Sequence, residues 1–512
     1  MRQSIRTDAP RSGTGLPAEL HCNAWTGTDT PVVAVANTHL DWQPSAALRV
    51  APPLPSMDRA AGKFDPTQWR SPDIGWGLVL PDHVGWTAER LASAEDAEPP
   101  IQRLVAARGR APVIRWRPDG SDVGCLVRYV PRSGTEYPVS MSSAYGVDDG
   151  QLPLYLLICA PPESIPWAFQ YMANTGRYVG RLWLEGQALD NYVSALIDDW
   201  SDADCDVHAP LVWSVDHGSS DITRLMDGAI SRKLVAAWQG DADGDLSRLS
   251  YLRGEQATHA ALIDTLASTR PGLVVTTSHG MTGPLHDPER LRAQLGLPVD
   301  MTHRALELDA LADAWQPGGA IWYSHACCAA GSDVTSAYEG LFDRSSSLMR
   351  VLAGVAAGCK ARIAPLPQRL LGAKQPLRAF IGHVEPTFDW TMRDPSSGEP
   401  LTHNLVEAFY KTMFESATAR QPIGHVQSVL YRAAASLMME WRSAEKSEQQ
   451  GVSCAVKRAL HRQIQALDLQ HTVLLGDPTV ALPSLRDPRQ LAGTESRGAS
   501  QGVGEQATPR RR

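Results

Sequence analysis

Two short stretches of this chain end in residues that can do chemistry together. Ala320-Ile-Trp-Tyr-Ser-His-Ala-Cys-Cys-Ala-Ala-Gly-Ser332 begins as an apolar run and closes in small residues around two adjacent cysteines. Upstream, Gly272-Leu-Val-Val-Thr-Thr-Ser-His-Gly280 is a β-branched run that stops at a His-Gly pair. In an open parallel sheet, residues just past the carboxyl ends of the strands gather on one edge. Two such strands, ending in His279 and Cys327, would set an imidazole beside a thiol. The imidazole can take the thiol proton and, as imidazolium, hold the thiolate at neutral pH. The two positions lie 48 residues apart, which suits one crossover between adjacent strands.

The elements that must position this pair follow from the rest of the chain. At 512 residues it is too long for one ordinary core, so two to four subdomains are expected. A hydrophobic share of 43% and a charged share of 20% are those of a soluble globular protein. The net charge of −8 and the lack of a long Lys/Arg run in the body of the chain argue against nucleic acid as a partner. Met1 to Glu19 is polar and has no apolar signal-like core, and no run of about 18 apolar residues predicts a membrane span. The eight cysteines are scattered, with no Cys-x-x-Cys pair, which predicts reduced thiols and a cytoplasmic location rather than disulfides or a zinc site.

Residues 1–73 read as an irregular N-terminal arm, with a short strand near Val32 to Ala36. Residues 74–200 read as an N-terminal α/β subdomain, with strands at Trp76–Pro81 and Leu152–Ala160, a helix at Pro100–Arg108, a short link at Val179–Leu182 and a helix at Gln187–Trp200. Residues 201–485 read as the catalytic domain. Strands at Pro210–Val215, Ser247–Leu252 and Leu273 alternate with helices at Asp221–Ala237 and Thr258–Ser268, the pattern of βαβ units and a parallel sheet. Asp333–Cys359 reads as one long helical segment. Arg378–His383 and Thr472–Leu475 read as further strands. Residues 486–512 have the composition of a disordered tail.

Thr277-Ser-His-Gly-Met281 followed by Ala326-Cys-Cys-Ala-Ala-Gly-Ser332 resembles the histidine and cysteine motifs of caspase-like clan CD cysteine peptidases. Within that clan the chain is most similar to the gingipain-like and CHAT branches of bacteria. Further similarity lies in Leu154–Ala160 with Ile165-Pro166, in Phe380–Glu385, and in Leu475-Gly-Asp-Pro478, so that it covers residues 74 to 483. The resemblance implies a three-layer α/β/α caspase-like fold with a mainly parallel sheet and an N-terminal extension. It also implies a cysteine endopeptidase acting on protein or peptide substrates, regulated in some cases by an activating protein partner. The alternative is an inactive scaffold or regulatory member that keeps the fold.

In that reading His279 is the general base and then acid, and Cys327 is the nucleophile. Alignment on Gly331 instead of Ala326 makes Cys328 the nucleophile. On an extended strand, neighbouring side chains point to opposite faces, so only one of the two should face His279. The backbone N–H groups of Gly280 and Cys327 are the expected oxyanion hole. Asp216, in Asp216-His217-Gly218 after the Trp213 strand, is a candidate to orient His279, against an equal reading as a solvated turn. Asp333, Glu385 and Asp389 follow predicted strand ends and are candidates for reading a basic P1 side chain. His325 and His383 read as packed strand histidines. The chemistry calls for no metal and no cofactor.

Overall fold

The structure is a computed structural model; it describes residues 19–34 and 65–486, apart from residues 110, 122, 131–133, 242, 395–396, 432–433, 435–436 and 438–454. Of the expected tail only Arg486 is among the described residues, its N–H on the Ala417 carbonyl at 2.8 Å; the rest lies outside them. The strands, in chain order, are β1 (Glu19–His21), β2 (Ala24–Trp25), β3 (Val32–Ala34), β4 (Trp76–Pro81), β5 (Val113–Arg117), β6 (Cys125–Val130), β7 (Thr135–Val139), β8 (Tyr155–Ile158) and β9 (Tyr178–Arg181). They continue with β10 (Leu211–Ser214), β11 (Ser250–Arg253), β12 (Leu273–Thr277), β13 (Gly280–Met281), β14 (Ile321–His325), β15 (Gly331–Ser332), β16 (Arg362–Ile363), β17 (Ala379–His383) and β18 (Thr472–Leu475).

Twelve of these form one sheet in the order β11-β10-β12-β14-β17-β18-β9-β8-β4-β5-β6-β7. Neighbours run parallel except at β17–β18, β5–β6 and β6–β7. The architecture is therefore mixed α/β on a large, mostly parallel sheet, with the crossover helices that parallel strands require. The boundary expected near residue 200 does not divide the sheet, because β18 pairs with β9 on one side and β17 on the other. Strands β8, β10, β12, β14, β17 and β18 are buried along their whole length, which is why they read as unbroken apolar runs rather than alternating ones.

Two of the expected elements take a different form in the structure. The expected link at Val179–Leu182 is, through Arg181, part of β9, and Arg181 is fully buried. That guanidinium donates to Gln170 Oε1 at 3.0 Å and to the Ala160 carbonyl at 2.9 Å, so a residue type that signals surface sits in the core because its donors are satisfied. The long helix expected from Asp333 begins only at Ser347. The Ser346 hydroxyl accepts the Met349 N–H and caps it, while residues before it are held in turns such as Ser345 on Asp343.

The helical stretch Ile222–Gln239 carries a π-helical turn at Asp227–Ser231. That turn brings Ser231 Oγ to 2.9 Å from Thr277 Oγ1, which is also 2.9 Å from Ser214 Oγ, itself donating to Asp227. This polar chain ties the helix to the last residue of β12, two positions before His279.

Candidate active site

In the register of β12 and β14, Thr277 stands opposite His325, so His279 and Cys327 each lie two residues beyond the paired ends. The Ser278 N–H continues the pairing onto the His325 carbonyl at 3.3 Å. The strand-end edge thus brings together His279 and the two cysteines, each just past the carboxyl end of neighbouring strands, as parallel topology requires.

The chain closes tightly here. A β-carbon at Gly280 would stand 1.9 Å from the Cys327 carbonyl oxygen, and one at Gly296 would stand 2.0 Å from the Cys328 carbonyl oxygen. Gly296 also has φ of +68°, a conformation in which only glycine is unstrained.

His279 is fully buried. Its Nε2 lies 2.9 and 3.0 Å from the two oxygens of Asp221. An ionised carboxylate can only accept, so Nε2 is the donor in this contact, and in the neutral imidazole Nδ1 would be left as the acceptor. Among the described residues Nδ1 has no hydrogen-bond partner. Asp221 also caps the helix that begins at Ile222 and accepts the Thr223 N–H at 2.8 Å. Burial alone would raise the Asp221 carboxyl. The hydrogen bonds and charge of His279, with help from Thr223, outweigh it and hold the group well below the usual carboxylate range. Asp221 is therefore the residue that orients His279. Asp216 is not: its carboxylate accepts the Gly218 N–H at 3.0 Å and faces Arg224 at 3.6 Å.

His217 lies parallel to His279 at 5.5 Å and to His303 at 4.0 Å. Its Nε2 is 3.0 Å from the Asp300 carbonyl. Burial lowers its pKa, against that carbonyl, and the neighbouring imidazoles of His279 and His303 lower it further. His217, Asp221 and His279 present ligand atoms within 4.8 Å of one another, a set able to hold a divalent metal ion.

The cysteines lie not on β14 but in the turn that follows it, where the Ala329 N–H reaches back to the Ala326 carbonyl and the Gly331 N–H to the Cys328 carbonyl. Cys328 has φ of +56°. Strand alternation therefore does not apply, and the two sulfurs sit 3.4 Å apart instead of on opposite faces. Both are buried, at 0% and 2% exposure. Burial, and then the Cys328 contact, push the Cys327 thiol well above its ordinary pKa. Burial of this kind disfavours the thiolate, against the expectation that the site enriches it.

The remaining expectations divide. The Gly280 N–H, expected to be free for an oxyanion, donates to the Asn23 carbonyl at 2.9 Å. Glu385 is buried and accepts from Ser336 Oγ at 3.1 Å and the Ala337 N–H at 3.3 Å. Burial and the neighbouring charge of Asp333 push it up to about 8. The Asp333 carboxylate accepts the Val334 N–H at 2.7 Å. Asp389 accepts the N–H groups of His21 and Trp390, and burial pushes it up to about 7. Each of the three is thus engaged with its own chain.

His325 is the packed histidine expected, between Tyr323 Oη at 2.7 Å and Thr387 Oγ1 at 3.1 Å. His383 is likewise packed, 3.0 Å from Thr472 Oγ1. The residues that sequence reading missed are Asp221, whose one signal was its position as a helix cap, and Asn23 and Trp25, which carried none.

No protein-family model matches the chain, and no curated protein matches it. Among solved structures, the complex of the pro- and mature domains of Porphyromonas gingivalis RgpB is similar at 12% identity, over 66% of this chain and 67% of that one, with a TM-score of 0.36.

Proposed function

We propose that this chain is a cysteine peptidase of the caspase-like type, acting on extended peptide segments of protein substrates. The observation that carries the reading is the Asp221–His279 contact at 2.9 Å, set at the strand-end edge beside the Cys327–Cys328 turn. A carboxylate that fixes one imidazole nitrogen leaves the other as a base of defined direction. In the cycle, His279 Nδ1 takes the thiol proton of Cys327 and the thiolate attacks the scissile carbonyl carbon. The imidazolium then returns the proton to the leaving amine, and water hydrolyses the thioester through the same base. The Gly280 N–H serves the oxyanion once the Asn23 carbonyl has left it. Asp333, Glu385 and Asp389 are the acids proposed to read a basic side chain, once released from the contacts that engage them. The reading carries with it a cytoplasmic location and a protein partner that opens the site.

A second reading, an inactive member that keeps the fold, is favoured by the complete burial of both thiols and the engaged Gly280 N–H. Incubation with a peptide library and mass-spectrometric readout separates the two. The peptidase reading expects discrete cleavages that His279→Ala and Cys327→Ala each abolish. Cleavage that persists in both variants, or an absence of cleavage and of covalent capture by a peptidyl electrophile once the site is opened, favours the inactive member.

A further inference from the structure

The candidate site is covered by the chain's own N-terminal residues. Strand β2 runs parallel to β13, with Ala24 opposite Gly280 and Trp25 opposite Met281. The Asn23 carbonyl takes the Gly280 N–H, and the Trp25 carbonyl takes the Thr282 N–H at 2.7 Å. On the other side, the Asn23 N–H reaches the Thr387 carbonyl at 3.2 Å and the Asn23 side-chain oxygen accepts the Thr387 N–H at 3.0 Å. Cys22 bridges antiparallel to Phe388, and the His21 N–H reaches Asp389 at 3.1 Å. The segment is therefore clasped as an extended strand between two edges, one of which begins at the residue after His279.

Side chains follow the same plan. Cys22, Asn23 and Ala24 are buried, at 1%, 0% and 0% exposure. The Trp25 ring lies 6.0 Å from His279 and 4.8 Å from His303. Amide hydrogen bonds on alternate residues, with neighbouring side chains in closed pockets, are how a sheet edge receives an added peptide strand.

We infer that the slot between Gly280–Thr282 and Thr387–Phe388 is the site's peptide-binding cleft, and that Cys22–Trp25 fills it as an internal ligand that must withdraw before a substrate enters. The inference rests on the peptidase reading of His279 and Cys327. Its ligand is an extended peptide recognised through its main chain, with a small residue in the Ala24 position and an aromatic one over the imidazoles. The Asn23 carbonyl stands where the substrate's own carbonyl would meet the Gly280 N–H. The burial that keeps both thiols from solvent is then reversible.

The test uses the full chain and Ala24→Arg, whose side chain the closed pocket cannot house. A milder variant, Asn23→Ala, removes only the bond to Thr387. Alkylation of Cys327 and Cys328 by iodoacetamide is followed by mass spectrometry, beside peptide-library turnover. Alkylation and turnover should both rise roughly tenfold or more in Ala24→Arg and less in Asn23→Ala, because the competent fraction rises. A synthetic peptide of residues 19–34 should suppress both again. Unchanged alkylation in variants that keep the parent's circular dichroism, or no suppression by the peptide, overturns the inference. Faster alkylation that the peptide reverses, without any turnover, keeps the internal ligand and overturns the peptidase reading instead.

Discussion

Gly280 and Cys327 touch backbone to backbone, so closely that a β-carbon at position 280 would stand 1.9 Å from the Cys327 carbonyl oxygen and 2.7 Å from its nitrogen. The contact is what joins the histidine segment to the cysteine turn. Neither backbone can move away cheaply, because each continues from a strand in the same sheet. Gly280→Ala should therefore cost about 3 kcal/mol or more of stability, a loss of the size reserved for forced backbone shifts. Urea unfolding of the variant and of Gly283→Ala, a second close glycine at a different contact, would show whether the effect belongs to this contact. An unaltered midpoint for Gly280→Ala would mean that the site is looser than described.

Asp221→Asn keeps the shape of the His279 contact and removes its charge. In a working peptidase it should lower kcat by about 10²–10⁴, since a carboxamide no longer selects the same imidazole tautomer. Stability should fall by about 1.5–3 kcal/mol at neutral pH, the scale of a hydrogen bond to a charged group. The Asp221 carboxyl is held down in the folded chain, so its contribution is present above the ordinary value of 3.8 and is lost as pH falls below it. The stability difference between variant and parent should close in that acid range. Asp216→Asn should change kcat little. A larger loss from Asp216→Asn than from Asp221→Asn would contradict the assignment.

With the two sulfurs 3.4 Å apart, substitution separates their roles better than geometry does. Cys327→Ala should abolish cleavage, and Cys328→Ala should leave substantial activity. The opposite pattern would move the nucleophile to Cys328. Both substitutions should be made in the Ala24→Arg background, where the thiols are reachable. There the pH–rate profile should be bell-shaped, rising as the active ion pair forms and falling as the imidazolium loses its proton.

Buried titratable groups behind the site set opposite pH slopes on stability. Glu385 is pushed up to about 8, and Asp389 and Asp468 to about 7, all first by burial. A raised carboxyl means that the folded state holds the proton longer. Its penalty is absent below the ordinary value of about 4 and grows as pH rises toward 7 or 8. Burial pushes His383 and His471 down to about 3, so stability is lost as pH falls from 6.5 toward 3, where only the unfolded chain is protonated. Melting temperature should peak in between. Asp389→Asn and Asp468→Asn should each gain on the parent as pH is raised from about 5 to about 8, by up to a few kcal/mol. A pH-independent difference would show that these carboxyls ionise normally.

The sheet's central strands were legible because burial on both faces writes them as continuous apolar runs, as in Leu273–Thr277 and Ile321–His325. Strand β9 was not, because Arg181 stands in it and its partners, Gln170 and the Ala160 carbonyl, are named only by the fold. The ribbon β5–β7 was missed because its strands mix charged and apolar residues, with Arg115 buried in β5, β6 half-buried and β7 largely at the surface.

The same division runs through the site. Sequence alone determined that a His-Gly and an Ala-Cys-Cys each follow an apolar strand, because local residue types set strand and turn. Parallel topology then placed them on one edge with no further information needed. Tertiary structure decided the rest. It chose Asp221 over Asp216, because hydrogen bonding selects by distance in space and not by nearness in the chain. It put Cys327 and Cys328 side by side, because a left-handed residue ends the alternation a strand would have imposed. It also set Asn23 against Gly280, a pairing across more than 250 residues that no local pattern encodes, since any extended segment can offer a carbonyl to a free amide.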